Sequence, residues 1–143
     1  MNYVWQEDGS MEEILKILKA NGVFFLATTD GTAGRVRPFG FAEIYDGRLY
    51  FFTGKDKEVY QQLVAHPDCE ICSCSPTGQW LRVRGRAVFD ESKEIKKQIF
   101  ASMPRLLELY KQGEDDPRGA AFYLENPEAV MMDMQGNFRK FDI

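Results

Sequence analysis

The sequence holds few of the residues that build metal or disulfide sites. It contains a single histidine, His66, whereas a closed zinc site takes four ligands, so we expect no metal site. The three cysteines fall within one short stretch, CEICSC, and an odd count argues against a disulfide framework. Alternation along a strand instead predicts Cys72 and Cys74 as small core residues on one face.

Long apolar runs and an excess of positive charge are also missing. No stretch of about 18 apolar residues occurs, so we predict no membrane span. The N-terminal residues MNYVWQEDGSMEE are acidic and lack the basic-then-apolar pattern of a signal peptide. The net charge of -4 argues against general attraction to nucleic acid or to anionic membranes. We therefore expect a cytoplasmic protein with no membrane or nucleic-acid partner.

Repeats, low-complexity segments and linkers are absent as well. The 143 residues suffice for one hydrophobic core, so we predict a single domain over residues 1–143. A doubly wound parallel sheet would need a helix after nearly every strand. It would also favour a glycine-rich GxGxxG turn, which this chain lacks.

Local signals predict a few short helices. Ser10 opens a capping box, and Ser92 is positioned to begin a later helix. Asp56 is expected to cap the helix that stops before His66-Pro67. Pro104 either kinks the helix that follows Ser92 or opens another helix, which ends at Gly113.

Short strands account for most of the remaining chain. Asp46-Gly47 is the signal of a two-residue hairpin turn. The predicted strands are 23–29, 35–45, 48–53, 70–75, 79–90, 121–125 and 129–135, with a last short one at 138–141. Because hairpins join most of them, we expect a mainly β protein, an antiparallel barrel of six or seven strands with peripheral helices.

The second predicted strand has two unlike faces. Small side chains that suit the inside of a tight barrel share one face, namely Val36, Pro38, Gly40, Ala42 and Ile44. The opposite face carries Arg37, Phe39, Phe41, Glu43 and Tyr45. An outward row of three aromatic side chains is typical of a partner or ligand surface; the alternative is that a peripheral helix covers it.

The strand at 79–90 repeats this pattern. Its inward positions are Leu81, Val83, Gly85, Ala87 and Phe89, and its outward positions are Trp80, Arg82, Arg84 and Arg86. Arginines at alternate positions repel one another, so either acids on adjacent strands or a bound anion must offset them. Trp80 beside Arg82 favours contact with a flat ring that carries negative charge.

The segment from Thr53 to Lys57 is a candidate anion site. It offers a hydroxyl, the backbone N–H groups of a helix start, and the ammonium groups of Lys55 and Lys57 on either side of Asp56. A Lys-Asp-Lys run is also common in solvated turns. Its position one hairpin away from Arg35 and Arg37 favours a ligand that bears a phosphate.

Four segments in this order resemble a known family: RVRPFGF, DGRLYFFTGKDK, a helix that ends in HP, and QWLRVRGRAVF. They resemble the FMN-binding split-barrel proteins of the pyridoxamine 5'-phosphate oxidase-like group. The length is similar to that of its small single-domain members, including those likened to 5-nitroimidazole-resistance proteins. The resemblance implies a split β-barrel and a homodimer with two FMN sites at the interface.

The resemblance also implies which residues hold the cofactor. Arg35 or Arg37 and the loop residues Thr53, Gly54, Lys55 and Lys57 would bind the phosphate. The flavin ring would lie along Pro38, Phe39 and Gly40. Trp80 of the partner subunit would approach it, with Gln79 and Arg82 at its sides.

The chain departs from the oxidase itself in two places. Lys57-Glu58-Val59 stands where the oxidase has Ser-Arg-Lys, and GNFRKFDI offers no counterpart of its substrate-binding Arg and His. These departures argue against pyridoxamine phosphate oxidation more than against FMN binding.

The function expected from this resemblance is an FMN-dependent oxidoreductase that acts on a small molecule, in the manner of a nitroreductase. A flavin carries such chemistry without a protein general acid or base, and Arg82 would stabilise its reduced, anionic form. One alternative is a non-catalytic split barrel that binds flavin or haem. Another is a small barrel that binds single-stranded nucleic acid through Arg82, Arg84 and Arg86 and the face of Phe39 and Phe41.

Overall fold

A computed structural model describes residues 9–143 of the chain. Most of the acidic N-terminal stretch discussed above therefore lies outside the described residues, and one domain over residues 1–143 stays a prediction. No helix in the described part combines the length and the apolar character that crossing a membrane requires. Cytoplasmic localisation likewise stays a prediction.

The described chain forms eight strands and three α-helices. The helices are α1 (Met11–Asn21), α2 (Glu58–Ala65) and α3 (Lys93–Ser102), and short 3-10 helices follow α3 at Pro104–Glu108 and Gly113–Asp115. The strands are β1 (Phe24–Thr29), β2 (Gly34–Phe39), β3 (Glu43–Tyr45), β4 (Arg48–Gly54), β5 (Asp68–Cys74), β6 (Gln79–Asp90), β7 (Gly119–Asp133) and β8 (Phe138–Lys140).

All strand pairs are antiparallel, in the order β2-β1-β5-β6-β7-β4-β3, with β8 paired to β7. The predicted mainly β, antiparallel architecture with peripheral helices is therefore confirmed. The sheet has eight strands, one more than the six or seven expected for the barrel, and the predicted bounds are wrong in two places. The chain leaves the sheet after Phe39, so the predicted strand 35–45 becomes β2, which pairs with β1, and β3, which pairs with β4.

The second difference in bounds concerns β7, which replaces two predicted strands. Residues 125–128 read as a turn because they contain Asn126 and Pro127. In the structure they form an irregularity opposite the register shift between Arg84 and Arg86, with Asn126 at a φ of 51°. A bulge of this kind accommodates a left-handed Asn and a Pro without ending the strand, since the ladder resumes on either side.

Local signals place most of the element boundaries correctly. Ser10 Oγ accepts a hydrogen bond from the Glu13 N–H at 3.2 Å, and Ser92 Oγ accepts one from the Ile95 N–H at 3.3 Å. Asp46 and Gly47 both have positive φ, which suits the tight turn between β3 and β4. The expectation for Asp56 is wrong, because α2 has Lys57 at its N-cap with no side-chain capping bond.

The face assignment of the second predicted strand is wrong over β2, although Ala42 and Ile44 do pack in the main core as predicted. Phe39 is 9% exposed and Phe41 is 6% exposed, whereas Val36 is 68% exposed. The ring of Phe39 packs on Phe24 and Phe122, with centroids 6.3 and 6.2 Å away. Burying these two rings removes more apolar surface from water than burying the smaller Val36 and Pro38 would.

Peripheral helix α3 covers the remaining aromatic residues of that predicted face. Phe41 packs in a second buried cluster with Ile99 and Phe100, and the Tyr45 hydroxyl donates to the Gln98 carbonyl at 3.2 Å. The alternative of a covering helix is thus confirmed for Phe41 and Tyr45. Because the face is covered, these side chains are not a free partner surface.

Strand β6 follows its predicted alternation. Leu81, Val83 and Ala87 are buried, and the three arginines are exposed. The prediction for the neighbouring cysteines is wrong: Cys69 is buried, Cys72 is half-buried and Cys74 is exposed. The phase of β5 is opposite to the expected one because Cys69 and Ile71 face the core.

One buried ion pair connects the two ends of the described chain. Both Nη atoms of Arg139 lie 2.7 Å from the carboxylate oxygens of Glu13, which also accepts the Gly9 N–H at 2.7 Å. Breaking such a pair on one side leaves an uncompensated buried charge. The pair therefore holds α1 against β8.

Candidate functional site

A groove of about 880 Å³ lies beside β2 and the start of α2. One group of lining residues comes from the end of β2, the end of β4 and the first turn of α2. A second group, here called the α3 wall, comes from the end of α3 and the 3-10 helix after it: Ser102, Met103, Arg105, Leu106, Glu108 and Leu109. The volume falls in the range of small-molecule sites, about 300–1,000 Å³.

The groove contains a buried polar group without a hydrogen-bond partner, the hydroxyl of Thr53. Thr53 is 4% exposed, and its Oγ1 is the one buried side-chain polar atom in residues 9–143 that has no hydrogen-bond partner. A buried polar group left without a partner costs about 1–3 kcal/mol. The hydroxyl is therefore poised for an acceptor or donor that a ligand would bring.

Two cations accompany this hydroxyl. Lys57 occupies the N-cap of α2, where backbone N–H groups point outward, and none of the described carboxylates lies within ion-pair distance of its ammonium group. Arg37 donates to Thr28 Oγ1 at 2.7 Å, to Gln62 Oε1 at 2.6 Å and to the Leu26 carbonyl at 3.2 Å. Burial lowers the pKa of the Arg37 guanidinium. A guanidinium so held is fixed in position but keeps its charge.

This combination of fold and groove is matched by a known family. The family model for pyridoxamine 5'-phosphate oxidase matches residues 10–131. The chain belongs to the pyridoxamine 5'-phosphate oxidase family. The resemblance read from the four sequence segments, and the split-barrel fold that it implies, are confirmed.

Solved structures in and around this family agree with the assignment. A NimC/NimA family protein from Clostridium acetobutylicum is 33% identical, with 94% of this chain and 92% of that chain covered and a TM-score of 0.87. The general stress FMN/FAD binding protein of Xanthomonas citri is 21% identical, with 92% and 89% covered and a TM-score of 0.64.

A third structure, from Nostoc punctiforme, is a pyridoxamine 5'-phosphate oxidase-related, FMN binding protein. It is 15% identical, with 96% of this chain and 98% of that chain covered and a TM-score of 0.67. At these identities the Xanthomonas and Nostoc proteins share the fold. No curated protein matches the chain.

Of the residues assigned to the cofactor through the family pattern, six line the groove: Arg37, Pro38, Phe39, Gly40, Thr53 and Lys57. The structure thus favours Arg37 over Arg35. Arg35 Nε lies 2.9 Å from Asp30 Oδ2, at the tip of the β1-β2 hairpin and outside the groove.

Lys55 and Gly54 also lie outside the groove, although they are in the predicted loop. The Lys55 ammonium is 3.0 Å from Glu91 Oε2, which is also 3.4 Å from the ammonium of the buried Lys96. This places Lys55 in a bridge between the β4-α2 loop and the start of α3. Gly54 is buried against Asp56 and Tyr110.

Trp80 and Arg82 lie on the outer face of the sheet. The register pairs Arg82 with Cys72, Cys72 with Phe25, and Phe25 with Pro38. Three strand spacings, about 14 Å, therefore separate Arg82 from Pro38 within one chain. Neither Trp80 nor Arg82 lines the groove.

Acids on adjacent strands offset part of the arginine stripe on β6, as one reading of the sequence predicts. Arg84 Nη2 lies 2.7 Å from Glu128 Oε2, and Arg82 Nε lies 3.6 Å from Glu70 Oε2. For Arg86 the pairing stays a prediction. The nucleic-acid hypothesis gains no support, because Phe39 and Phe41 are buried.

The α3 wall is the part of the site that sequence reasoning missed. Pro104 does open a second helical segment, one of the two alternatives for that residue, but a 3-10 helix rather than an α-helix. The sequence signal that could have found it is the run Arg-Leu-Leu-Glu-Leu after Pro104, whose leucines lack the spacing of an amphipathic helix. In the structure Leu107 and Leu109 are exposed. The relation of this run to the groove depends on tertiary contacts.

Gly54 permits a close contact between the segment Thr53 to Lys57 and Tyr110, the residue that follows the α3 wall. A Cβ at this position would lie 2.7 Å from Tyr110 Oη and 2.6 Å from Asp56 Oδ1. The Tyr110 ring cannot withdraw freely, since it packs on Phe52 with centroids 5.2 Å apart and carries Arg118 on its face.

We therefore expect Gly54→Ala to destabilise the fold by about 1–3 kcal/mol, the usual cost of overpacking. Urea unfolding followed by fluorescence gives the change in midpoint. Gly34→Ala is the matched control, because a Cβ at Gly34 meets nothing within 4 Å. Equal midpoints for the two variants would contradict the close contact between Gly54 and Tyr110.

Proposed function

We propose that this protein binds FMN in the groove and acts as an FMN-dependent oxidoreductase on a small molecule. The observation that carries the proposal is the partnerless buried hydroxyl of Thr53 beside Lys57 at the start of α2. A phosphate would supply acceptors for the hydroxyl, for the ammonium group and for the N–H groups of the helix start. The FMN and FMN/FAD binding proteins among the structural relatives support the same ligand class.

The residues present fit such a group. Arg37, Thr53 and Lys57 would hold the phosphate, and the segment Pro38 to Gly40 would lie along the ring. Gly40 has open space where a Cβ would stand, so the backbone can be approached closely there. The ring of Phe39 packs in the core, which leaves mainly its backbone for the ligand.

The chain itself would bind, orient and exclude water rather than transfer protons. When bound, a flavin supplies hydride or electron transfer. The single histidine, His66, lies outside the groove. Glu43, a carboxylate that lines the groove, forms an ion pair with Lys19 in which Nζ and Oε2 are 2.8 Å apart. This arrangement supports a reaction in which the protein positions the reactants.

We further propose that the protein forms a homodimer through the outer face of β1, β2, β5 and β6. Exposed apolar side chains lie on this face, among them Phe25 and Val36. Uncovered apolar patches of this kind mark partner surfaces. A second copy packed there would bring its own Trp80 and Arg82 toward the groove, a position that they cannot reach within one chain.

Loss of the phosphate contacts should weaken FMN binding. We expect Lys57→Ala and Thr53→Val each to raise the Kd for FMN about tenfold or more, since a charge-assisted hydrogen bond contributes about 1.5–3 kcal/mol. Fluorescence quenching of added FMN measures the Kd. Lys55→Ala is the matched control, because Lys55 pairs with Glu91. Protein that neither carries nor takes up FMN would refute the proposed ligand.

Catalysis should be visible in the flavin spectrum. We expect NADH or NADPH to bleach the bound flavin and a nitroaromatic acceptor to restore its absorbance, because the proposed site leaves room beside the ring. Stopped-flow absorbance under anaerobic conditions measures both half-reactions. A flavin that binds but that neither donor reduces would identify the protein as a non-catalytic flavin binder.

Disruption of the apolar outer face should separate the proposed dimer. We expect Phe25→Glu to halve the mass measured by analytical ultracentrifugation and to weaken FMN binding, since the partner subunit's contribution is lost. Val64→Glu serves as the control, because Val64 is exposed on α2, a helix that packs on the core side of β1 rather than on its outer face. A monomeric native protein, or a Phe25→Glu variant that stays dimeric, would contradict this interface.

A further inference from the structure

Arg105 is a groove cation without a role in the proposed phosphate site. It is the second residue of the Pro104–Glu108 helix, on the α3 wall. Within residues 9–143, no carboxylate is within ion-pair distance of its guanidinium. By contrast, Lys19, the other groove cation outside the phosphate site, is held by Glu43 at 2.8 Å. The charge of Arg105 is therefore available to a ligand.

Apolar side chains surround this charge on the same wall. Met103 and Leu106 are half-buried, and Leu109 is 63% exposed although it lines the groove. A planar guanidinium beside uncovered apolar groups suits a molecule with a carboxylate at one end and a flat apolar body. A sugar or a small polar anion would leave those leucines in water.

The wall is held in place before any ligand arrives. Arg118 Nη2 donates to the Leu109 carbonyl at 2.6 Å, and Arg118 is itself paired with the buried Asp116 at 3.0 Å. The neighbouring Tyr110 ring packs on Phe52 and Phe100. A preorganised wall reduces the entropy lost when a ligand binds.

The groove also has room for a second molecule. Its volume of about 880 Å³ lies near the upper end of the range for small-molecule sites, and the proposed phosphate and ring contacts occupy the β2 and α2 side. The α3 wall would then face the space beside the flavin.

We propose that Arg105 determines substrate specificity by binding the carboxylate of an aromatic substrate, which the apolar part of the α3 wall holds beside the flavin. The location beside a flavin rests on the proposed function, whereas recognition of the carboxylate by Arg105 does not. A bidentate pair of guanidinium and carboxylate fixes orientation as well as affinity.

Calorimetric titration with benzoate and benzamide tests this inference. The two probes share a ring and differ in charge. We expect Arg105→Gln to weaken benzoate binding about 10- to 100-fold and to leave benzamide binding unchanged, since only benzoate forms the charge-assisted bonds. Arg105→Lys should retain part of the benzoate affinity. Lys111→Gln, which removes the same charge from an exposed residue outside the groove, should behave as the unchanged protein.

Three results would overturn the proposal: no benzoate binding at millimolar concentration, equal loss for both probes in Arg105→Gln, or a weakened FMN affinity in that variant. The last result would assign Arg105 to the flavin site instead. Absorbance of the same samples reports FMN content independently. If no flavin is present, the proposed function fails, yet the benzoate titration still decides whether Arg105 recognises a carboxylate.

Discussion

Hydrogen bonding along both edges of β7 is the constraint on which the rest of the structure depends. This strand pairs with β6 from Gln79 to Asp90 on one side and with β4 from Tyr50 to Gly54 on the other. It also carries β8, and with it Arg139, the partner of Glu13. Without β7 the sheet would fall into two parts, and Thr53 would have no fixed position relative to β2.

Aromatic packing converts this sheet into a curved structure with a groove. Strands β2 and β1 stand at one end of the strand order, and β7 and β4 stand towards the other. Even so, the ring centroids of Phe24 in β1 and Phe51 in β4 are 5.8 Å apart, and those of Phe39 in β2 and Phe122 in β7 are 6.2 Å apart. These contacts cross the interior, because sheets with a strong twist curl until their apolar faces meet. The curling brings the end of β2 and the end of β4 to the same groove.

The distribution of charge pairs then decides which cations remain for a ligand. Asp30 forms an ion pair with Arg35, Glu91 with Lys55, and Glu43 with Lys19. In each pair the nitrogen and oxygen atoms are 3.0 Å apart or less. Lys57 and Arg105 have no such partner in the described chain. A stripe of basic residues in a sequence therefore overstates the number that can meet a ligand, since acids from distant segments neutralise some of them.

Features set by neighbouring residues were predictable from the sequence. The bounds of β6, the serine caps of α1 and α3, and the tight turn at Asp46-Gly47 depend on local hydrogen bonds and on backbone conformations that residue type controls. The order of such local motifs also identified the family, and it predicted as cofactor residues Arg37, Thr53 and Lys57, which line the groove.

Tertiary structure decided the features that depend on distant partners. Alternation along β2 defines two faces but does not show which of them is buried. The face of Phe39 is buried because its ring packs on Phe24 and Phe122. Continuity of β7 through Asn126 depended on two flanking strands, because a bulge survives where the ladder resumes beyond it. The α3 wall reached the groove through the packing of Tyr110 on Phe52, a contact between segments that the sequence keeps far apart.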